Sequence, residues 1–337
     1  SGLHQVSFNQ SHDLDPAVLP DGRVVFSRWD NAGGHDEISL YTMRPDGSDL
    51  QLLYGARSHD TGTDDEEIHF LDPRPTASGK LLVLAHGLCM NDLQWKRQGH
   101  DHGAALARDL GYTPVYLHYN SGRHISTNGR EFADLLEALL ANWPVPVEEL
   151  AILGHSMGGL LARSAWHYGT AAGHAWPRRL KKLVFLGTPH HGAPMERGGN
   201  LIDIALGVSP YTAPLSRLGK IRSAGITDLR HTWLLDEDWR GRDRFARSSG
   251  HHAAVPLPDG VKCFAIAATT GKQAGDIKDR LVGDGLVPLA SALGCHAEHD
   301  RNLMFPPDRQ WIALETGHLD LLCRKPVYER IRGWLAA

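Results

Sequence analysis

Four segments of this chain carry residue types that can do nucleophilic chemistry together. Gly154–Gly158 (GHSMG) sets Ser156 at the centre of a Gly-x-Ser-x-Gly turn. Leu281–Pro288 (LVGDGLVP) holds Asp284 between glycines, Glu315–Leu319 (ETGHL) holds His318, and Ala85–Leu88 (AHGL) precedes them all. A serine hydroxyl is a weak nucleophile until a base removes its proton and a third group orients that base. Ser156, then Asp284, then His318 is the chain order in which a serine on a strand–turn–helix finds its acid and base. Attack on a carbonyl puts negative charge on an oxygen, which needs donors. The Leu88 N–H, beside permissive Gly87, and the Met157 N–H at the helix start are the expected oxyanion donors. His86, Gly87, Cys89, Met90 and His155 flank these groups and are candidate substrate contacts. Plainer roles exist: Asp284 could cap a turn and His318 the final helix. The required order of all three residues favours the chemical role.

Such a set works only if the fold delivers it to one place. Leu150–Gly154 is a continuous apolar run, and Leu160, Leu161, Ala165 and Trp166 follow at helical spacing. That predicts a buried strand, a tight turn and a helix, with Ser156 above a helix N-terminus that favours developing negative charge. Strand patterns recur at Lys80–Ala85, Thr113–Tyr119, Lys182–Gly187, Val261–Ala267 and Gln310–Leu314. Between them lie helical patterns around Asp101–Leu110 and along Phe132, Leu135, Leu136, Leu139 and Leu140; Val327, Ile331 and Trp334 close the chain. Near-continuous apolar strands alternating with helices predict an α/β fold, a doubly wound and mostly parallel sheet. Asp284 and His318 each fall just past a strand, at the carboxyl ends where such sheets bind ligands.

Two regions have another rhythm. Residues 1–75 show short strand candidates at Arg23–Phe26, Glu37–Met43 and Leu50–Leu53, punctuated by Pro20-Asp21-Gly22 and Pro45-Asp46-Gly47. They predict a β meander that packs on the catalytic region (76–337) or extends its sheet. Residues 188–260 hold no member of the site, and their apolar content predicts a cap or lid. Leu201–Leu206, Tyr211, Leu215, Leu218, Ile221, Leu229, Trp233, Leu234, Leu235 and Trp239 either line an acyl pocket or form the cap's own core. Arg240–Arg247 reads as a solvated stretch.

Composition removes several function classes. The 337 residues are 42% hydrophobic and 22% charged with a formal net charge of −4, and no basic stripe argues for a nucleic-acid partner. No apolar run reaches the roughly 20 residues of a membrane span. Residues 1–30 lack a signal-peptide pattern, which leaves cytoplasmic residence and secretion after leader removal both open. The 4 cysteines (Cys89, Cys263, Cys295, Cys323) are scattered and read as free thiols, and the 21 histidines show no metal-ligand spacing.

The segments HGL, GHSMGG, GTPHHGAP, GDGLVP and TGHLDLL stand in an order that resembles α/β-hydrolases of the lipase/esterase type, both triacylglycerol-lipase-like and GPI inositol-deacylase-like. The resemblance covers residues 80–337 and implies a catalytic Ser156–Asp284–His318 set, with Leu88 and Met157 as oxyanion donors. It also raises a calcium site at Asp320, for which no second carboxylate is evident; a helix-capping Asp320 is the simpler reading. Residues 11–55 resemble one repeat of a WD40-like, Tol-type propeller. The expected activity is hydrolysis of a small-molecule or lipid ester through an acyl-enzyme, with no cofactor. An acyltransferase, thioesterase, amidase or polyester depolymerase would use the same residues, and a binding protein with a silent site is the non-enzymatic alternative. Oligomeric state has no signature in the sequence.

Overall fold

The structure is a computed structural model that describes residues 12–19, 22–32, 35–54, 78–192, 223–242, 255–273 and 283–337. It divides into two units, 1–77 and 78–337.

In the first unit, strands β1 (Asp13–Val18), β2 (Val24–Ala32), β3 (His35–Met43) and β4 (Gln51–Tyr54) form an antiparallel sheet in the order β1-β2-β3-β4. These strands pair with one another, so they are a sheet of their own and not leading strands of the second sheet. Strand β1 escaped the sequence reading because Pro16 interrupts its pattern. Its register slips between Leu14 and Ala17, which is how an edge strand tolerates a proline. Arg28 clamps β2 to β1 through two bonds to Asp13, at 2.7 and 2.9 Å.

The second unit is built on six parallel strands: β5 (Lys80–Ala85), β6 (Thr113–Leu117), β7 (Glu149–His155), β8 (Leu180–Leu186), β9 (Lys262–Ala268) and β10 (Gln310–Ala313). Their order is β10-β9-β8-β7-β5-β6. Along β5, Leu81, Val83 and Ala85 enter one core and Leu82 and Leu84 the other, the period of two that a strand imposes. The first core is completed by α2 (Ile125–Ala141) and α3 (Met157–Ala171), and the second by α1 (His102–Leu110) and α7 (Lys325–Ala336). Each fully buried leucine contributes roughly 1.5–3 kcal/mol by leaving water. Helix α1 starts where the Asp101 carboxylate accepts Ala104 N–H at 3.1 Å and stops at Gly111 in the left-handed region.

One helix face differs from the expected one. Leu135 is 52% exposed, while Ile125, Gly129, Phe132, Ala133 and Leu136 are buried. That buried stripe is centred near Ile125 and Leu136, about 100° per residue around the helix, and it leaves Leu135 a quarter turn outside.

Strand order reverses beside β5, with β6 on one side and β7 on the other. Sheets of this kind bind ligands at such a switch point, here the carboxyl ends of β5 and β7 at Ala85 and His155.

Of the expected cap, residues 193–222 and 243–254 lie outside the described residues, and with them Leu201–Leu206, Tyr211, Leu215, Leu218, Ile221 and the stretch Asp243–Arg247. The part described carries α4 (Ala224–His231) and α5 (Asp236–Trp239). Leu229, Leu234 and Leu235 pack with Ile125, Met157, Leu160 and Val255 in a third core. Polar contacts key the segment to α2. The buried Asp228 carboxylate accepts Ile125 N–H at 2.7 Å and pairs with His124 at 3.0 Å. Trp239 stacks on His124 at 3.9 Å and donates to Ser126 Oγ at 2.9 Å, and Arg130 pairs with Asp236. Past the cap and β9, Ala292 of the short α6 (Leu289–Ala292) clusters with Val287 and Ala267.

Candidate active site

Ser156 has φ 52° and ψ −122°, a conformation that costs an L-residue about 1–3 kcal/mol and persists only where its surroundings impose it. The turn is imposed by close packing. A side chain at Gly154 would meet the Gly159 backbone at 2.7 Å, and one at Gly158 would lie 2.2 Å from the Ala85 carbonyl oxygen. Ser156 N–H donates to the Leu186 carbonyl at 2.8 Å, which ties the turn to β8. Helix α3 begins at the next residue, so its N-terminal N–H groups and dipole face the serine.

Asp284 and His318 are brought together. His318 Nδ1 donates to Asp284 Oδ2 at 2.7 Å, with the two side chains 6% and 0% exposed. The other oxygen, Asp284 Oδ1, accepts Leu286 N–H at 3.0 Å and Val287 N–H at 2.8 Å. His318 N–H in turn donates to the Asp284 carbonyl at 3.0 Å, so the two loops are joined through the backbone as well. Because Nδ1 carries the proton, Nε2 is left as the acceptor.

The pair must reach from the ends of β9 and β10 across β8 toward β7. Gly187, at the end of β8, makes room. A Cβ there would lie 3.1 Å from both Asp284 Oδ2 and His318 Nδ1, and its φ of 55° suits glycine. Sequence reading missed Gly187; its position directly after the β8 pattern was the available signal. The link back to the serine is His155. Its Nε2–H donates to the His318 carbonyl at 3.1 Å, and the two rings lie 4.7 Å apart.

The loop after β5 stands on the other side of the serine. A Cβ on Gly87 would be 3.1 Å from Ser156 Cβ and from His155 Nδ1, so only glycine lets the 87–88 peptide approach this closely. Tyr119 Oη–H donates to the His86 carbonyl at 2.7 Å, and Cys89 N–H donates to Ser121 Oγ at 3.0 Å. Neither Tyr119 nor Ser121 was expected from sequence, since single polar residues past an edge strand carry no pattern. Among the described residues, no protein acceptor takes the N–H of Leu88 or of Met157.

The expected substrate contacts divide. Cys89 and Met90 are half-buried beside the serine loop, and burial raises the Cys89 thiol above its ordinary value. His86 and His155 have no exposed surface, so they brace the site from below and do not line it. His86 stacks on Tyr119 at 4.2 Å, and burial pulls its pKa down to about 4; burial likewise holds His155 well below the ordinary imidazole range. Met157 is also fully buried, in the third core. Asp320 opens a single 3₁₀ turn, and its carboxylate accepts Gly317 N–H at 3.1 Å, which closes the preceding loop and caps no helix. No three His, Cys, Asp or Glu side chains converge as a metal site among the described residues.

The family described as "PGAP1-like alpha/beta domain" matches residues 76–256, more than half the chain. That match starts at residue 76 and does not reach residues 11–55. No curated protein sequence matches. Among solved structures, the mature Bacillus licheniformis lipase BlEst2 is 17% identical with a TM-score of 0.49, covering 77% of this chain and 94% of that one. Its propeptide form is covered over 50% of its chain. The metagenomic carboxyl esterase MGS0156 is 16% identical with a TM-score of 0.46, covering 78% of this chain and 79% of that one. A lipase-esterase related protein from Clostridium acetobutylicum is 16% identical with a TM-score of 0.41, covering 77% and 95%. Among the described residues, no helix is long and apolar enough to cross a membrane.

Proposed function

Because the chain belongs to the PGAP1-like alpha/beta domain family, with the sheet and flanking helices of an α/β-hydrolase, we propose that it is a serine hydrolase of carboxylic esters. One observation carries the reading: a serine in a strained turn at a helix N-terminus, with a histidine whose proton a buried carboxylate fixes on Nδ1. In this scheme Ser156 Oγ attacks the ester carbonyl carbon while its proton passes to His318 Nε2. The carbonyl oxygen becomes an oxyanion held by the N–H groups of Leu88 and Met157. His318⁺ then gives its proton to the leaving alcohol as the tetrahedral intermediate collapses to an acyl-serine. Water repeats the sequence: His318 takes its proton, hydroxide adds to the acyl carbon, and Ser156 leaves with the proton returned. Asp284 keeps the imidazole in the productive tautomer and offsets its positive charge.

The test is Ser156→Ala against 4-nitrophenyl acetate and butyrate. Hydrolysis should fall to the rate of buffer. Activity surviving in pure, folded variant would refute the assignment. Activity lost on Ser156→Ala with product found as a new ester, when an alcohol is added, would identify transfer in place of hydrolysis.

A further inference from the structure

Two turns of α3 beyond Ser156, an arginine is enclosed without a counter-ion. Arg163 is 3% exposed. Its Nη1 donates to His190 Nδ1 at 3.3 Å and its Nη2 to the Val255 carbonyl, both neutral acceptors. Its Nε has no partner. No carboxylate pairs with it among the described residues. Burial alone pulls the guanidinium down to about 10, so it remains a cation at neutral pH. His190 is 1% exposed and accepts at Nδ1, which puts its proton on Nε2, and that atom is also without a partner. Both side chains line one cavity of about 110 Å³ with Thr232, Asn302 and Arg301. Arg301 pairs with Glu298 at 3.9 Å, and Asp300, also on the wall, is exposed and bonds neither Arg163 nor His190.

A buried cation beside unfilled donors is costly unless something negative completes it. The planar fork of a guanidinium suits an oxyanion. We propose that this cavity is a binding site for a phosphate group, held by the Arg163 guanidinium, which His190 orients through its Nδ1. The inference stands on this geometry and not on the ester-hydrolase reading. The phosphate could be free, or carried on the substrate. At 1.5 Å rise per residue the Arg163 backbone lies about 10 Å along α3 from that of Ser156, a span a phosphate-bearing ester can bridge.

The test is thermal unfolding of the full chain in inorganic phosphate and in sodium chloride of equal ionic strength. Phosphate should raise Tm in a saturable way, and chloride should not. Arg163→Met should lose that rise. His190→Phe, whose ring fits between Phe185 and Phe305, should weaken phosphate at least about tenfold and decides the matter if Arg163→Met does not fold. Equal Tm in the two salts for the unaltered chain, or an unchanged phosphate response in both variants, would overturn the proposal. Inhibition by inorganic phosphate of a phosphate-bearing ester, but not of 4-nitrophenyl butyrate, assigns the site to substrate. A Tm response without inhibition of either assigns it to free phosphate.

Discussion

Replacing Asp284 by asparagine should remove nearly all activity and leave the fold intact, because its two oxygens do different things. Oδ1 accepts two backbone N–H groups, from Leu286 at 3.0 Å and Val287 at 2.8 Å, while Oδ2 faces His318 Nδ1 at 2.7 Å. In the amide, the remaining oxygen must stay at the Oδ1 position, since an NH₂ there would point at two donors. The NH₂ is therefore turned on His318 Nδ1, which has to become an acceptor. The ring proton moves to Nε2, and a ring protonated there cannot take a proton from Ser156. A wrong tautomer of this kind costs about 10⁴-fold in kcat, or roughly 5.5 kcal/mol of transition-state stabilisation. Stability should hardly change, because the bond from His318 N–H to the Asp284 carbonyl belongs to the backbone. The assay is kcat and KM on 4-nitrophenyl butyrate, with Tm measured in parallel. A folded Asp284→Asn protein within about tenfold of the unaltered kcat would refute the orienting role.

Three further outcomes follow from the same geometry. Ser156→Gly should be more stable than Ser156→Ala by about 1 kcal/mol, since glycine relieves the φ of 52° at some cost in chain entropy; equal Tm values would contradict the strain. Gly158→Ala should lose about 3 kcal/mol or more, because its methyl would lie 2.2 Å from the Ala85 carbonyl oxygen and 2.7 Å from that of His86; an unshifted urea midpoint would contradict the packing. Stability should also fall steeply in mild acid. His86 and His102, both wholly buried, are held neutral down to about 4, so the unfolded chain takes up their protons first. Their contribution is complete above about pH 6.5 and fades as pH drops toward 4, by roughly 3 kcal/mol each. Urea unfolding at pH 7.5 and 4.5 checks this, and a flat profile would rule it out.

The sheet was legible because parallel strands are buried on both faces and therefore read as unbroken apolar runs. Lys80–Ala85 came through with its boundaries intact, and Asp284 and His318, read from chain order and from their places just past apolar runs, are hydrogen-bonded to each other. Legibility failed where one residue serves two neighbours from different parts of the chain. Gly187 is a gap left for Asp284 and His318, and Asp228 is buried for the sake of Ile125 N–H and His124. Neither role leaves a periodic trace. Leu135 failed for a different reason. Hydrophobicity marks a wide stripe on a helix, but the stripe's centre is set by what the helix meets, here α3 at the Gly129–Ser164 contact. His86 and His155 were misjudged because a place in sequence beside Gly87–Leu88 or beside Ser156 does not tell a ring that faces the site from one buried behind it.

Those buried histidines bear on where selectivity can reside. Met157 and Leu160 sit in one core with Leu229, Leu234, Leu235 and Val255, so the described cap residues next to the serine are structural partners of α3. Truncating any of these leucines to enlarge a pocket would open a cavity at a cost of about 2–5 kcal/mol. Leu88 and Met90 lie at the margins of these cores, Leu88 against the third and Met90 against the second, and are less tightly enclosed. They are half-buried, and their loop is held by backbone bonds to Ser121 and from Tyr119 that do not depend on the loop's side chains. Side-chain size at Leu88 and Met90 can therefore change at a smaller cost than in the core, with the backbone of the loop still held. The fold thereby separates the group that would stabilise the transition state, a backbone amide, from the groups on the same residues that would choose the substrate.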